Sequence, residues 1–376
     1  MKRLLLIFTI FAGLSIAFQS CNEDIDLIGT YNETAVVYGL LDQSDSIHFI
    51  KITRTFIGDG VTSNIDVAGI ADSSYFDSVE GTVTEYGGVD ISGNPINPTG
   101  RIFTLKDTMI YDKDVNGIFY APEQKLYYFE TSTAQPLLDN GIYKLHLVIN
   151  GGEFEVSGVT ELVHGMSNSN IAGSTQPYRF VNANNDFIST SVSVQNAADG
   201  TARVINTKLL IEFTEWVGTT GTTKTFEWQL GELDVNAGDL VAFGAPGATF
   251  YNQIAEHVTK DNPNIDKRTF NSITTIITGG AQDLLNYMQV NEPTSSVAQT
   301  KPTYTNMTAT NGHGVVGIFS SRNVISIYKP FIDPMSQQVR CINQKSTEYL
   351  CIGSITNPYF FCSDHIGDVT KTWYCP

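Results

Sequence analysis

Apolar and polar residues alternate along the chain from about residue 33 to 163. In HFIKITRTF, Ile50, Ile52 and Phe56 fall on one face, and Lys51, Thr53 and Thr55 on the other. In YKLHLVI, Tyr143, Leu145, Leu147 and Ile149 alternate with Lys144, His146 and Val148. A period of two is that of a strand with one buried face. Comparable runs predict strands over 35–42, 78–86, 101–111, 118–121, 125–130 and 153–163. Strands of this length between turn signals, without a long helix, predict an immunoglobulin-like antiparallel β-sandwich over 33–165.

The pattern then becomes mixed. KLLIEFTEW sets Leu209, Ile211 and Phe213 on one face, and TFEWQL does the same with Phe226, Trp228 and Leu230. GTTGTTK between them reads as a hairpin loop. In TFYNQIAEHVTK, Phe250, Ile254 and Val258 recur every four residues, which is one face of a short helix. AQDLLNYMQV predicts a second short helix, with Asp283 in its first turn. After the polar connector of 291–306, VVGIFSS and NVISIY return to strand character. The fold class is therefore mainly β: a sandwich, then an α+β domain over 168–335, then a cysteine-rich tail over 336–376. The irregular segments of the α+β domain are where binding contacts are expected.

The start of the chain changes the picture. Lys2 and Arg3 precede an apolar run from Leu4 to Ala17. A membrane span needs roughly 20 apolar residues, so this run has the length of a signal-peptide core. Ser20 then precedes Cys21, as in a bacterial lipoprotein signal in which the cysteine carries the lipid. Residues 1–20 are read as the signal. Residues 21–32, with Glu23, Asp24 and Asp26, are read as an acidic tether of the kind that resembles a surface-export signal. The formal charge is −17, and removing Lys2 and Arg3 with the leader makes it −19. Such a chain is repelled by phosphate backbones, which argues against nucleic acid as a partner.

Beyond Cys21, the cysteines are Cys341, Cys351, Cys362 and Cys375. An even, clustered set in an exported protein predicts two disulfides of undetermined pairing. The rival is zinc, because Cys362 and His365 have C-x2-H spacing.

Three stretches resemble an uncharacterised family of Bacteroidota outer-membrane lipoproteins carrying a domain of unknown function. They are VVYGLLDQSDSIHFIKITRTFIGDG, GIFYAPEQKLYYF, and LLNYMQVNEPTSSVAQTKPTYTN with GVVGIFSSR. Genes of this family often lie near TonB-dependent receptors. The resemblance implies a lipid-anchored outer-membrane protein at the cell surface, and an outer-membrane transporter or other surface protein as partner. It implies no reaction and no catalytic residue.

Candidate chemistry is sparse. DKDVNGIFYAPE places Asp112, Asp114, Asn116, Gly117 and Glu123 at the positions of a calcium loop. Its flanks are β-like, Pro122 removes an N–H where an exit helix would start, and Asn116-Gly117 is a favoured type I′ dipeptide. A hairpin turn is therefore expected there. Gly312, Gly314 and Gly317 have G-x-G-x-x-G spacing but lead into a strand, which does not suit a dinucleotide loop. Arg54 falls on the apolar face of its strand and needs a partner. Ser46, Ser78 and Thr108 follow aspartate and precede an apolar residue, the pattern of Bacteroidota O-glycosylation. G-x-S-x-G, H-E-x-x-H and the P-loop are absent, the six histidines are scattered, and no cofactor is called for. The expected function is non-catalytic binding of a partner protein or ligand, as in a transporter accessory. A glycan-binding module or adhesin and a hydrolase with a dispersed site are the alternatives.

Overall fold

The computed structural model describes residues 33–56, 64–111, 113–168, 170, 176–291, 303–332 and 340–376. The signal peptide, Cys21, the tether, Asp112 and most of the 291–306 connector lie outside the described residues.

Strand β1 (Thr34–Asp42) pairs antiparallel with β2 (Ile47–Arg54), Val37 opposite Ile52. Ala35, Val37 and Leu41 of β1 and Ile50 and Ile52 of β2 are fully buried, as the alternation requires. Asp42 shapes the turn by accepting from the Ser44 amide and hydroxyl. Two short helices follow, α1 (Asn64–Ala68) and α2 (Ala71–Ser74). The next strands are β3 (Val79–Val89), β4 (Pro95–Thr104), β5 (Lys106–Ile110), β6 (Gln124–Glu130), β7 (Ile142–Ile149) and β8 (Phe154–Glu161). The single strand expected over 101–111 is divided at Leu105. Its first part pairs with β3 and its second with β6, so the chain changes sheets there. Residues 118–121 form no strand and belong to the loop that joins β5 to β6.

The second half contributes β9 (Met166–Asn168), β10 (Ser189–Asn196), β11 (Val204–Val217), β12 (Thr220–Asp234) and β13 (Leu240–Pro246). Helix α3 (Gly247–His257), β14 (Lys267–Gly280), α4 (Gln282–Asn291), β15 (Met307–Ala309) and β16 (Gly314–Pro330) follow, then α5 (Gln344–Ile352) and β17 (Phe361–Cys362). Helices α3 and α4 sit where the fourfold spacing placed them. The β11–β12 hairpin is tighter than GTTGTTK suggested: Val217 pairs with Thr220, leaving only Gly218 and Thr219 in the turn.

The sheets explain how the halves join. A nine-stranded sheet runs β12-β11-β14-β16-β1-β2-β6-β5, with β17 added beside β14. A five-stranded sheet runs β15-β8-β7-β3-β4, and a three-stranded one β13-β10-β9. Strand β16 is the hinge of this arrangement. Its residues from Gly314 to Arg322 pair parallel with β1, and those from Arg322 to Pro330 pair antiparallel with β14. One core lies between the β1–β2–β6 side and the five-stranded sheet, and includes Phe129, Tyr143, Phe154 and, from far along the chain, Met307 and Phe319. The other includes Trp228, Phe243, Phe250, Ile273 and Leu350. The cores divide close to residue 163, but the backbone does not: Glu33–Pro376 is one compact unit. The β1–β16 and β14–β17 pairs are parallel; the first of them adds a parallel partner, from far along the chain, to the part read as an antiparallel sandwich.

The tail carries one disulfide, Cys362–Cys375. Here the structure differs from the two bridges expected. Cys341 and Cys351 are free, buried thiols packed in the second core, where burial pushes both thiols well above their ordinary range. His365 does not join the cysteines; its Nδ1 lies 2.8 Å from Arg340 and accepts from the Gly367 amide.

Candidate functional site

The side of β1, β2 and β6 that faces away from the first core is open. Period two puts Val36, Tyr38 and Leu40 on this face of β1, Phe49, Lys51 and Thr53 on β2, and Leu126 and Tyr128 on β6. Phe49 and Tyr128 are register partners with ring centroids 6.1 Å apart. Lys106 lies 5.7 Å from the Tyr128 ring, a cation–π distance. Tyr38 meets Tyr287 of α4 edge-on at 5.9 Å and accepts a hydrogen bond from it. Burial first, and Tyr287 second, push the Tyr38 phenol up to about 12, so it stays protonated.

Two hollows occupy this face. The larger, of about 540 Å³, has Val36, Tyr38, Lys51 and Thr53 as its floor. Tyr75 closes one side, and Lys113, Phe119 and Tyr120 come from the loop between β5 and β6. Hydrogen bonds tie down that loop and the start of β6. The Tyr120 amide donates to Ala68 O of α1, and the Lys125 amide to the Tyr75 hydroxyl. The second hollow, of about 420 Å³, extends toward Ile47, Phe49, Ile318 and Arg322 and shares Tyr38, Lys51 and Gln124 with the first. Together they form a trough along β2, whose eight residues span roughly 25 Å. Rings line it from end to end, which suits a flat, amphipathic ligand that can stack and still hydrogen-bond at its edges.

The sequence-predicted candidates fall around this trough unevenly. Arg54 has the partners its position demanded: the Glu33 carboxylate and the Ser73 and Asp72 carbonyls. The calcium-like loop forms one wall. Asp114 accepts from the amide and side chain of Asn116, and Glu123 accepts from the Tyr120 hydroxyl. Neither Asn116 nor Gly117 has the positive φ of a type I′ turn, so the hairpin connection is a long loop rather than a two-residue turn. Among the described residues no three His, Cys, Asp or Glu side chains are grouped to hold a metal. Ser46 and Ser78 are exposed, and Thr108 is half-buried in β5. The G-x-G-x-x-G glycines serve backbone geometry: Gly312 turns with φ +75°, and Gly317, with φ +99°, lies against β1. The six histidines stay apart; His146 meets Glu155 at 3.1 Å, while His257 and His313 stack on Phe226 and Phe154.

Most of the trough comes from the first half, whereas the second half was expected to carry the binding contacts; α4 and β16 add only its margin. Sequence reasoning missed Tyr38, Phe49 and Lys51 as a set. The signal was present in the alternation: aromatic residues on the face opposite Ile50 and Ile52 are not needed for the core. It also missed His48, which has the parity of Ile50 and is buried beneath the trough floor. No helix among the described residues is long and apolar enough to cross a membrane.

No family model matches the chain, and no curated protein matches it. Among solved structures, the C-terminal globular domain of an oligosaccharyltransferase from Pyrococcus abyssi is similar over 65% of this chain at 10% identity, with a TM-score of 0.22. The chain spans 44% of that structure's length. A second, CBD12 from CALX1.2, is similar over 69% of this chain and 88% of its own at 7% identity, with a TM-score of 0.18. Likeness at this level carries no argument about function.

Proposed function

We propose that this chain is a non-catalytic, lipid-anchored binding protein of the outer-membrane surface, and that the trough holds an extended carbohydrate. The observation that carries the reading is the open, ring-lined face of β1, β2 and β6. Core-facing aromatic residues are explained by packing; Tyr38 and Phe49 face outward at 37% and 43% exposure, which packing does not require. A shallow aromatic strip is what stacking on sugar rings needs. A hydrolase would need converging carboxylates, and among the described lining residues of the two hollows there is a single one, Asp45 of the second. The leader, Cys21 and the acidic tether support the anchor, and the family resemblance supports a place beside an outer-membrane transporter.

Two measurements test the proposal. The mature protein is applied to a glycan array, and Phe49→Ala and Tyr38→Ala are compared with the parent by calorimetry. Each substitution is expected to weaken the best ligand by about ten-fold or more, the loss of one stacking contact. Separately, Cys21→Ala is expected to release the protein from membranes. An array without any binder would overturn the carbohydrate reading; membrane retention of the Cys21 variant would overturn the anchor.

A further inference from the structure

The chain carries 39 acidic residues against 22 basic ones. The larger hollow reverses this balance. Lys51, Arg54 and Lys113 line it, and no aspartate or glutamate does among its described lining residues. Arg54 is already engaged, since its guanidinium is shared between the Glu33 carboxylate and two backbone carbonyls. Lys113 donates to Tyr120 O at 2.6 Å and lies 5.7 Å from the Phe119 ring. Those contacts hold its ammonium group in the wall, where it has no ion pair among the described residues. Lys51 has no ion pair and no side-chain hydrogen bond among the described residues, and rises from the floor beside Tyr38.

The two ammonium groups act on one another. Burial lowers the Lys113 ammonium from its ordinary value, and repulsion from Lys51 lowers it further. An acidic protein has many carboxylates with which to neutralise such a pair; the wall's own Asp114 and Glu123 are engaged by Asn116 and Tyr120, and no carboxylate is among the described residues that line the hollow. Like charges placed together over an apolar floor favour an anion that sits between them.

We infer that the larger hollow takes a carboxylate-bearing sugar, with the carboxylate between Lys51 and Lys113 and the ring against Tyr75 and Phe119. The inference rests on the carbohydrate reading of the trough and narrows it to acidic glycans. A carboxylate fits better than a phosphate. The arginine here is spent on Glu33, Asp72 and Ser73, so neither anion is offered a planar fork and both meet two lysine point charges; a uronate, however, carries its acid on the same ring that stacks, which suits an ammonium pair set among the rings of Tyr75 and Phe119.

The test uses the mature protein and two probes of one backbone: oligogalacturonate, and the same oligomer with its carboxylates methyl-esterified. By calorimetry in low salt, the acid is expected to bind at least about ten-fold more tightly than the ester, the worth of one charge-assisted hydrogen bond. Raising the salt should narrow that gap. Lys51→Met and Lys113→Met keep the apolar stems and, once their melting curves match the parent, should each remove most of the preference, with the acid losing far more affinity than the ester. Equal binding of acid and ester would overturn the inference and leave the trough as a neutral-glycan site. Acid preference unaffected by either lysine substitution would overturn the location. A sulfated or phosphorylated oligosaccharide that bound more tightly than the galacturonate would overturn the choice of carboxylate. Failure of both probes would overturn the inference, and the neutral members of the array then decide whether the carbohydrate reading falls with it.

Discussion

His48 lies under the trough floor with 2% of its surface exposed, stacked on Phe129 at a centroid distance of 4.7 Å. Its Nε2 is 3.1 Å from the Thr131 hydroxyl, and its buried Nδ1 has no hydrogen-bond partner among the described residues. Burial pushes this imidazole down to about 4, against a smaller opposing pull from Asp42. The sign of the pH effect follows. Below about pH 6.5 the unfolded chain takes up a proton that the folded protein refuses, so stability falls as the pH drops toward 4 and is flat above 7. Between pH 7 and 5 this one residue is expected to remove about 2 kcal/mol. His365 also titrates low, through burial and then Arg340, so the measurement must be a difference. Urea unfolding of the parent and of His48→Gln at the two pH values supplies it. The variant should lose about 2 kcal/mol less than the parent on acidification, and identical losses would show that His48 is not held neutral in the fold.

Strand β16 is the element on which the architecture turns, and Gly317 is the residue that lets it approach β1. At φ +99°, a Cβ on Gly317 would stand 2.0 Å from Val37 O, a main-chain atom that cannot move without the strand. Gly312 has φ +75° but open space around its missing Cβ. Gly317→Ala is therefore expected to cost more than about 2 kcal/mol, and Gly312→Ala only about 1 kcal/mol, the conformational term alone. Equal losses in urea melts would mean that β1 and β16 do not approach this closely. The strand also marks what could be read beforehand. β1, β2, β7, β8 and β11 each bury one face, so their alternation is plain. β14 buries Thr275 between Ile273 and Ile277 on its core face and Thr269 and Ser272 on the other, so its pattern does not alternate in polarity. β16 reads as two strands because Arg322-Asn323 interrupts it, yet Arg322 reaches the Asp42 carboxylate at 3.2 Å and the strand continues. The floor of the trough was legible by parity alone. Its walls were not: they depend on the loop between β5 and β6 folding back onto α1 and α2, a contact between segments some 50 residues apart in sequence.

At the scale of the whole molecule, the boundary near residue 165 separates two cores but not two folding units. The first core is incomplete without residues that arrive some 150 positions later. Met307 packs against Gly158 of β8, and Phe319, fully buried, packs against Gly39 of β1. Burying one phenylalanine side chain contributes roughly 2–3 kcal/mol, a large share of the 5–15 kcal/mol that a domain has in total. Removing β15 and β16 would also strip β1 of its parallel partner along nine residue pairs, leaving a long unpaired edge beside an opened core. A chain ending at residue 165 is therefore expected to collapse without a cooperative melt, to bind a hydrophobic dye and to aggregate. The full mature chain is expected to unfold in one transition, with fluorescence of the aromatic core and far-ultraviolet dichroism moving together. A sharp, reversible melt of the 22–165 fragment would contradict this and return the first half to the status of an independent sandwich. Two well-separated transitions in the intact chain would do the same. If the single transition is found, ligand binding in the trough should raise its midpoint as one step, because the strands that form the trough floor belong to the sheet that also closes the second core.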